Sequence, residues 1–119
     1  MATHNDLGIQ GEEMARAFLL KNGYDILETN YRFGKAEIDI IAFKNAMLVI
    51  IEVKTRVSTY FGNPEQFVSK KKIKLLTDAA HNYIIKNDLD AEVRFDIISI
   101  IINSQQSVIK HIKNAFFHF

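Results

Sequence analysis

The chain has 119 residues, 48% of them hydrophobic, and a formal net charge of +1, which suits one globular domain over residues 1–119 and excludes a disordered protein. The absence of cysteine excludes disulfides, a thiol nucleophile and a zinc site built on sulfur. Because the sequence shows neither a signal peptide nor an apolar run of membrane-spanning length, we expect a cytoplasmic protein that makes no membrane contact.

The first predicted element is a helix from about Leu7 or Gly8 to Asn22, which Gly23 ends as a C-cap. Its apolar stripe has the spacing of a helix packed on a core and consists of Gly11, Met14, Ala15, Phe18 and Leu19. Glu13 lies opposite this stripe and should face solvent.

Glu12 lies at the border of the stripe and could lean toward a sheet. Taken by itself, it is better interpreted as a first-turn acid that stabilises the helix dipole by about 0.3–1 kcal/mol. The residue pattern alone favours this second interpretation.

A first strand, Tyr24 to Arg32, leads through a turn at residues 33–36 into the most informative stretch, residues 37–54. Its two arms are apolar and rich in β-branched residues, and Asn45 tolerates the positive φ of a tight turn, so we predict a β-hairpin. If Asn45 and Ala46 form a two-residue turn, opposed residues have numbers that sum to 91. A three-residue turn would shift this register by one and send the charged pairs to opposite faces.

Four charged residues interrupt the apolar arms of this hairpin: Glu37, Asp39, Glu52 and Lys54. In the two-residue register Asp39 faces Glu52 and Glu37 faces Lys54, with Cβ atoms about 4.5–5.5 Å apart. Two facing carboxylates repel each other, and a hard divalent cation such as Mg²⁺ between them removes that cost. We therefore predict a metal site at which Lys54 orients or helps to deprotonate an attacking water. The alternative is a solvated hairpin face with a Glu37–Lys54 ion pair worth about 0–1 kcal/mol.

A loop from Val57 to Pro64 follows, in which Tyr60 or Phe61 could touch a substrate. Ser69 is the predicted N-cap of a second helix that extends to about Lys86. Its predicted buried face consists of Ile73, Leu76, Ala80, Tyr83 and Ile84.

Basic residues are concentrated between Lys54 and Lys74, where six Lys or Arg and one Glu give a local charge of +5 and leave −4 for the rest of the chain. Lys70, Lys71 and Lys72 fall in the first turn of the second helix, where cations oppose the helix dipole. This placement indicates either an anionic ligand at the helix start or an ordinary solvated lysine run. A basic segment beside an acidic site suits a phosphate-bearing substrate.

The last predicted elements are a strand from about Glu92 to Ile102 and a short strand from Val108 to Ile112. Arg94 and Asp96 share one face of the first of these, most simply as a surface pair. The apolar tail, residues 115–119, must pack on the domain or on a second subunit, which would permit a homodimer.

Other catalytic motifs do not appear in the sequence. The four histidines, at positions 4, 81, 111 and 118, do not have the spacing of zinc ligands. There is no Gly-rich phosphate loop and no Gly-x-Ser-x-Gly nucleophile motif. The hairpin carboxylates remain the one strong constellation.

The order of elements, with Asp and then Glu-x-Lys on adjacent strands, resembles the PD-(D/E)xK nuclease superfamily. A longer series of residues extends over nearly the whole chain and includes Gly11-Glu12, Gly23-Tyr24, Asn30-Tyr31-Arg32, Glu37-Ile38-Asp39, Glu52-Val53-Lys54 with Arg56, Phe61-Gly62, Lys72, Arg94-Phe95-Asp96 and residues 112–116. In this series the sequence is similar to the YraN-type family, a small uncharacterised bacterial family that is itself similar to archaeal Holliday junction resolvases.

The resemblance implies a restriction-endonuclease-like α/β domain, a mixed sheet with helices packed on it, in the order α-β-β-β-α-β-β. It implies that Asp39, Glu52 and the Val53 carbonyl hold Mg²⁺ or Mn²⁺ and that Lys54 positions the water. It also implies that Glu12 takes the place of the first-helix acid of the resolvases, which displaces the dipole interpretation of that residue. The predicted catalytic set is Glu12, Asp39, Glu52 and Lys54, and the predicted DNA contacts are Arg56, Lys70, Lys71 and Lys72.

The function that the resemblance implies is that of a Mg²⁺-dependent DNA endonuclease, which could act on branched or recombination-intermediate DNA. One alternative is an inactive DNA-binding module with the same fold. Another is a protein-interaction domain that dimerises through its aromatic tail.

Overall fold

The structure, a computed structural model, describes residues 4–58 and 68–116, with side chains from residue 6 onward. The elements are α1 (His4–Lys21), β1 (Asp25–Phe33), β2 (Ala36–Lys44), β3 (Met47–Arg56), α2 (Lys70–Lys86), β4 (Glu92–Ile102) and β5 (Ser107–Ile112). The predicted α/β order of elements is confirmed. Tyr60, Phe61 and residues 117–119 of the tail lie outside the described residues. Neither of the two helices in the described part is long and apolar enough to cross a membrane.

The five strands form one mixed sheet in chain order, from β1 at one edge to β5 at the other. Neighbouring strands are antiparallel except β3 and β4, which pair in parallel from Met47–Glu92 to Arg56–Ile101. Because parallel strands cannot be joined by a tight turn, the chain crosses over between them, and α2 lies on that crossover.

Each face of the sheet carries one helix and one buried cluster. The α1 face includes Ala15, Leu19, Tyr24, Ile40, Ala42, Val49, Ile51, Ile98 and Ile100. The α2 face includes Ala36, Ile38, Ile41, Leu48, Ile50, Leu76, Ala79, Ala80, Tyr83 and Phe95. Because the central strands are covered on both faces, residues 48–51 and 95–100 are buried without interruption, as in other two-sided sheets.

Local sequence signals determine the turns and caps that were predicted. Gly23 has φ +85° after α1, and the Ser69 hydroxyl accepts the Lys72 N–H at 3.1 Å as the N-cap of α2. Asn45 and Ala46 have φ of 52° and 61°, which is the two-residue turn of a hairpin. The register that follows from this turn, from Lys44–Met47 to Ile40–Ile51, sums to 91 and is confirmed.

The described part of the tail packs on the chain's own core. Phe116 is partly buried, and its ring lies 5.3 Å from that of Phe95 between centroids. The Ala115 N–H donates to the Phe95 carbonyl at 2.8 Å. This part of the tail therefore belongs to the α2-face core.

Candidate active site

The site begins where β2 and β3 separate. Their main-chain pairing ends at Ile40–Ile51. Asp39 and Glu52 are the next residues on the two strands, and they are not paired with each other. The Asp39 carboxylate instead accepts the Val53 N–H, with 2.8 Å between Oδ2 and N. Because β3 stays paired with β4 as far as Arg56, only the side of β3 that faces β2 opens.

Asp39 also marks a change of face along β2. Ile38 packs in the α2-face core and Ile40 in the α1-face core, although regular alternation gives residues two apart the same face. The prediction that Glu37 and Asp39 share a face assumed that alternation, which β2 does not keep here. With its side chain bonded to a main-chain N–H of β3, Asp39 is directed along the sheet into the opening.

An open cleft of about 410 Å³ occupies this opening, between α1 and the end of β3. It is lined by Gly8, Glu12, Asp39, Glu52, Val53, Lys54, Thr55 and Arg56. The structure thus brings together all four predicted catalytic residues, the predicted main-chain ligand Val53 and the predicted DNA contact Arg56.

A glycine lets α1 come close enough to form one wall of the cleft. Gly11 is buried, and a Cβ added to it would overlap the Thr55 hydroxyl of β3. The close approach places Glu12, the next residue, against the cleft.

Glu52 is the most buried charged group of the cleft, with 5% of the residue exposed. Its Oε1 lies 2.7 Å from Lys72 Nζ and 3.6 Å from Lys54 Nζ. Its Oε2 is buried and has no hydrogen-bond partner within the described ranges. One carboxylate oxygen therefore has two cationic neighbours while the other is left unsatisfied.

Two carboxyl groups of the cleft, those of Asp39 and Glu12, have raised pKa values. Burial, and then the charge of Glu52, raises the pKa of Asp39 from 3.8 to about 7 against the opposing Val53 hydrogen bond. Burial, and then the charge of Glu37, raises the pKa of Glu12. The charge of Glu52 thus disfavours the ionised form of its neighbour Asp39.

A cation here would need ligands besides side chains. No group of three or more His, Asp or Glu side chains in residues 6–58 and 68–116 is arranged to hold a metal ion. The N–H and C=O of a strand residue point toward the same neighbouring strand. Because the Val53 N–H meets Asp39, its carbonyl faces the same opening.

Two expectations about the acidic residues are wrong. Glu37 forms its ion pair with Arg32 of β1, at 2.8 Å, because these two residues are paired across β1 and β2, and the alternative Glu37–Lys54 pair does not form. Glu12 is not a first-turn acid, because α1 begins at His4, two turns earlier. The dipole interpretation of Glu12 therefore fails on position.

The three lysines at the start of α2 have different surroundings. Lys70 and Lys71 are exposed and lie outside the cleft, whereas Lys72 reaches Glu52. Lys71 and Lys72 line a neighbouring pocket of about 310 Å³, together with Lys35, Ala36, Glu37, Ser69, Leu75 and Leu76. The sequence pattern could not distinguish Lys72 from its two neighbours.

Asp96 and Arg94 are not the surface pair that was expected, because Asp96 is buried and Arg94 is partly buried. Asp96 is fully buried; both its oxygens bind Arg94, at 2.9 Å, and it also bonds to His111 Nε2 at 2.7 Å and the Asn114 N–H at 2.9 Å. Arg94 also donates to the Tyr24 hydroxyl at 2.9 Å. Burial would raise the pKa of Asp96, but these hydrogen bonds outweigh it and hold that pKa below its ordinary value.

This network joins Tyr24, just before β1, to β4, β5 and the turn after β5, and none of its residues lines the cleft. Sequence analysis missed His111, Tyr24 and Asn114 as partners of Asp96. The one signal was the i, i+2 spacing of Arg94 and Asp96, which indicates a shared face but not its burial.

A family model and full-length relatives both indicate the same family for this chain. The model of the uncharacterised protein family UPF0102 matches residues 11–100. A UPF0102 protein of Flavobacterium psychrophilum is 56% identical over 119 residues, and one of Christiangramia forsetii is 51% identical over 119 residues, each covering all of both chains. A UPF0102 protein of Phocaeicola vulgatus is 44% identical over 117 residues, covering 98% of this chain and 97% of the relative.

Proposed function

The chain belongs to the uncharacterised protein family UPF0102, and from that premise we propose that it is a metal-dependent DNA endonuclease acting at the acidic cleft. The observation that carries the proposal is the Glu52 carboxylate, whose Oε2 is buried without a partner in the described chain. Beside it, Asp39 has a pKa raised to about 7. Burying an unpaired carboxylate oxygen is costly, and a divalent cation would satisfy both groups.

Asp39 and Glu52 would hold Mg²⁺ or Mn²⁺, with the Val53 carbonyl and water completing a set of hard oxygen ligands. Such an ion, when bound, supplies charge stabilisation at phosphorus and a bound water of lowered pKa. Lys54, one quarter exposed and 3.6 Å from Glu52 Oε1, would donate a hydrogen bond to that water and favour its hydroxide form. Glu12, on the opposite wall of the cleft, would accept a hydrogen bond from the same water.

The charge around the cleft favours a phosphodiester substrate. Arg56 lines the cleft, and the start of α2 adds Lys70, Lys71 and Lys72 nearby, as expected for contacts with a polyanion. In the proposed reaction the water oxygen bonds to phosphorus and one P–O ester bond breaks. The attacking water gives up one proton to solvent and the departing oxygen takes one from solvent, leaving one hydroxyl end and one phosphate monoester end.

The test is a cleavage assay on linear duplex, single-stranded and four-way-junction DNA with Mg²⁺ or Mn²⁺. We expect metal-dependent cleavage that Asp39→Asn abolishes while DNA binding is largely retained, because Asp39 is proposed to hold the ion and not the DNA. Lys54→Ala should lower the cleavage rate, and Asp78→Asn, at an exposed acid of α2 outside the cleft, should not. Failure to cleave any of the three substrates with either metal would refute the proposal.

A DNA-binding module without nuclease activity is the second candidate. The observation in its favour is the 2.7 Å ion pair between Lys72 and Glu52, which already neutralises one carboxylate oxygen without a metal. DNA binding that is independent of metal, without cleavage, would support this candidate. An interaction domain built on the aromatic tail is less favoured, because Phe116 packs against Phe95 of the same chain.

A further inference from the structure

The ion pair between Lys72 and Glu52 joins α2 to the cleft across the α2 face of the sheet. Lys72 Nζ donates to Glu52 Oε1 at 2.7 Å, and the Glu52 side chain is 6% exposed. The Lys72 side chain is 38% exposed, so its ammonium keeps access to solvent. Burying a carboxylate without a counter-ion is costly, and the Lys72 ammonium offsets that cost for Glu52.

The two oxygens of Glu52 are not equivalent. Oε1 has Lys72 at 2.7 Å and Lys54 at 3.6 Å, while the buried Oε2 has no partner among the residues described. A cation approaching Oε2 would therefore find a carboxylate whose charge is already shared with two ammonium groups. Like charges held at one carboxylate weaken each other's binding.

We infer that Lys72 is a resident counter-ion of Glu52 that competes with the divalent cation and, once weakened in its hold on Glu52, binds a DNA phosphate. The inference rests on the proposed function, since it takes Glu52 to be a metal ligand. Lys72 is a positioning residue in this scheme: it holds the Glu52 carboxylate in the cleft when no metal is bound.

The pocket next to the cleft is where the displaced Lys72 ammonium would bind a DNA phosphate. Lys72 is part of the wall of this pocket of about 310 Å³, to which Lys35 and Lys71 also contribute. Among the described residues that line it, the one acid, Glu37, is paired with Arg32. Three lysines around one neutralised carboxylate match the charge of a backbone phosphate.

Two consequences of opposite sign follow. Replacing Lys72 by a neutral residue should tighten metal binding by about tenfold, equivalent to about 1.4 kcal/mol, because a competing cation is removed. The same replacement should weaken DNA binding, because a phosphate contact is lost. Metal should strengthen DNA binding more in the wild type than in the variant, since only there does it release a lysine.

The test is calorimetric titration of the metal-free protein with Mn²⁺, for wild type, Lys72→Met and Lys71→Met. We expect tighter Mn²⁺ binding for Lys72→Met and unchanged binding for Lys71→Met, which lines the pocket without contacting Glu52. Both variants should bind a short DNA duplex more weakly in Ca²⁺. Unchanged or weaker Mn²⁺ binding by Lys72→Met would overturn the inference.

Loss of Lys72 leaves Glu52 without its nearest counter-ion, so folding is checked by the thermal midpoint with and without Mn²⁺. The Mn²⁺-induced rise of that midpoint should be larger in Lys72→Met than in wild type. If that variant does not fold, Lys72→Gln keeps a neutral donor toward Glu52 and should show the same tighter binding. Absence of Mn²⁺ binding in every variant would overturn both this inference and the metal site, whereas the expected Mn²⁺ pattern without DNA cleavage would refute only the nuclease.

Discussion

Replacing Asp39 by Asn should stabilise the metal-free protein above neutral pH. The folded state raises the pKa of this carboxyl from 3.8 to about 7, so the folded protein binds its proton more tightly than the unfolded chain does. The contribution of Asp39 to the free energy of unfolding must then fall as pH rises from about 4 to about 7. Above that interval the full cost of its ionisation in the folded protein is present. Asn cannot ionise, and its side-chain oxygen can still accept the Val53 N–H.

The size of the effect follows from the width of that interval. The distance from 3.8 to about 7 corresponds to roughly 4 kcal/mol at about 1.36 kcal/mol per pKa unit. The Asp39 side chain is partly exposed, and solvent screening lowers the observable share, so we expect about 2–4 kcal/mol at pH 8 and little difference near pH 4.

The assay is urea unfolding in EDTA at pH 4, 6 and 8 for wild type, Asp39→Asn and Asp78→Asn. Asp78 is an exposed acid paired with Lys74, so its variant should follow the wild type at each pH. The free energy of unfolding of Asp39→Asn, relative to that of the wild type, should increase as pH rises. A constant difference between the two proteins across this range, or an Asp39→Asn protein less stable than wild type at pH 8, would refute the electrostatic reasoning.

Three further substitutions, the first with a matched control, test how the fold is held together. Gly11→Ala should destabilise the fold by about 1–3 kcal/mol, because its Cβ would overlap Thr55. Gly8→Ala is the control: it has open space around it and should be neutral or stabilise α1 by up to about 1 kcal/mol. Thermal unfolding compares the two variants. Asp96→Ala should lower the free energy of unfolding in urea by about 3–5 kcal/mol, because it leaves the partly buried Arg94 without its ion-pair partner. Its disadvantage should shrink as pH falls below about 4, because the lowered pKa of Asp96 means that its contribution is lost as the carboxylate takes a proton. Ala46→Gly should stabilise the fold by up to about 1 kcal/mol and so raise the thermal midpoint, because φ is +61° at that turn position. A lower midpoint would contradict the assigned turn.

The confirmed predictions are those that depend on neighbours along the chain. Asn45 with its flanking apolar arms was enough to predict the two-residue turn, and that turn sets the register that ends at Ile40–Ile51, just before Asp39 and Glu52. Ser69 before a helical pattern was enough to predict the start of α2. Turn geometry, capping and periodicity act over a few residues, so they can be inferred from the sequence directly.

The tertiary structure decided which distant side chains meet. Lys72 looks like Lys70 and Lys71 in the sequence, yet only Lys72 reaches Glu52, because α2 crosses the sheet with that side chain directed at the end of β3. From the sequence we expected Asp96 at the surface. In the structure β5 and the turn after it cover Asp96, and His111 and Asn114 of these segments bond to it.

The sequence by itself therefore determined the order of the elements and the two carboxylates of the cleft. Only the packing of α1 and α2 on opposite faces decided the burial of both carboxylates, the counter-ion of Glu52 and the raised pKa of Asp39. The physical reason is that charge and desolvation act through space, so they depend on contacts between residues far apart in the chain.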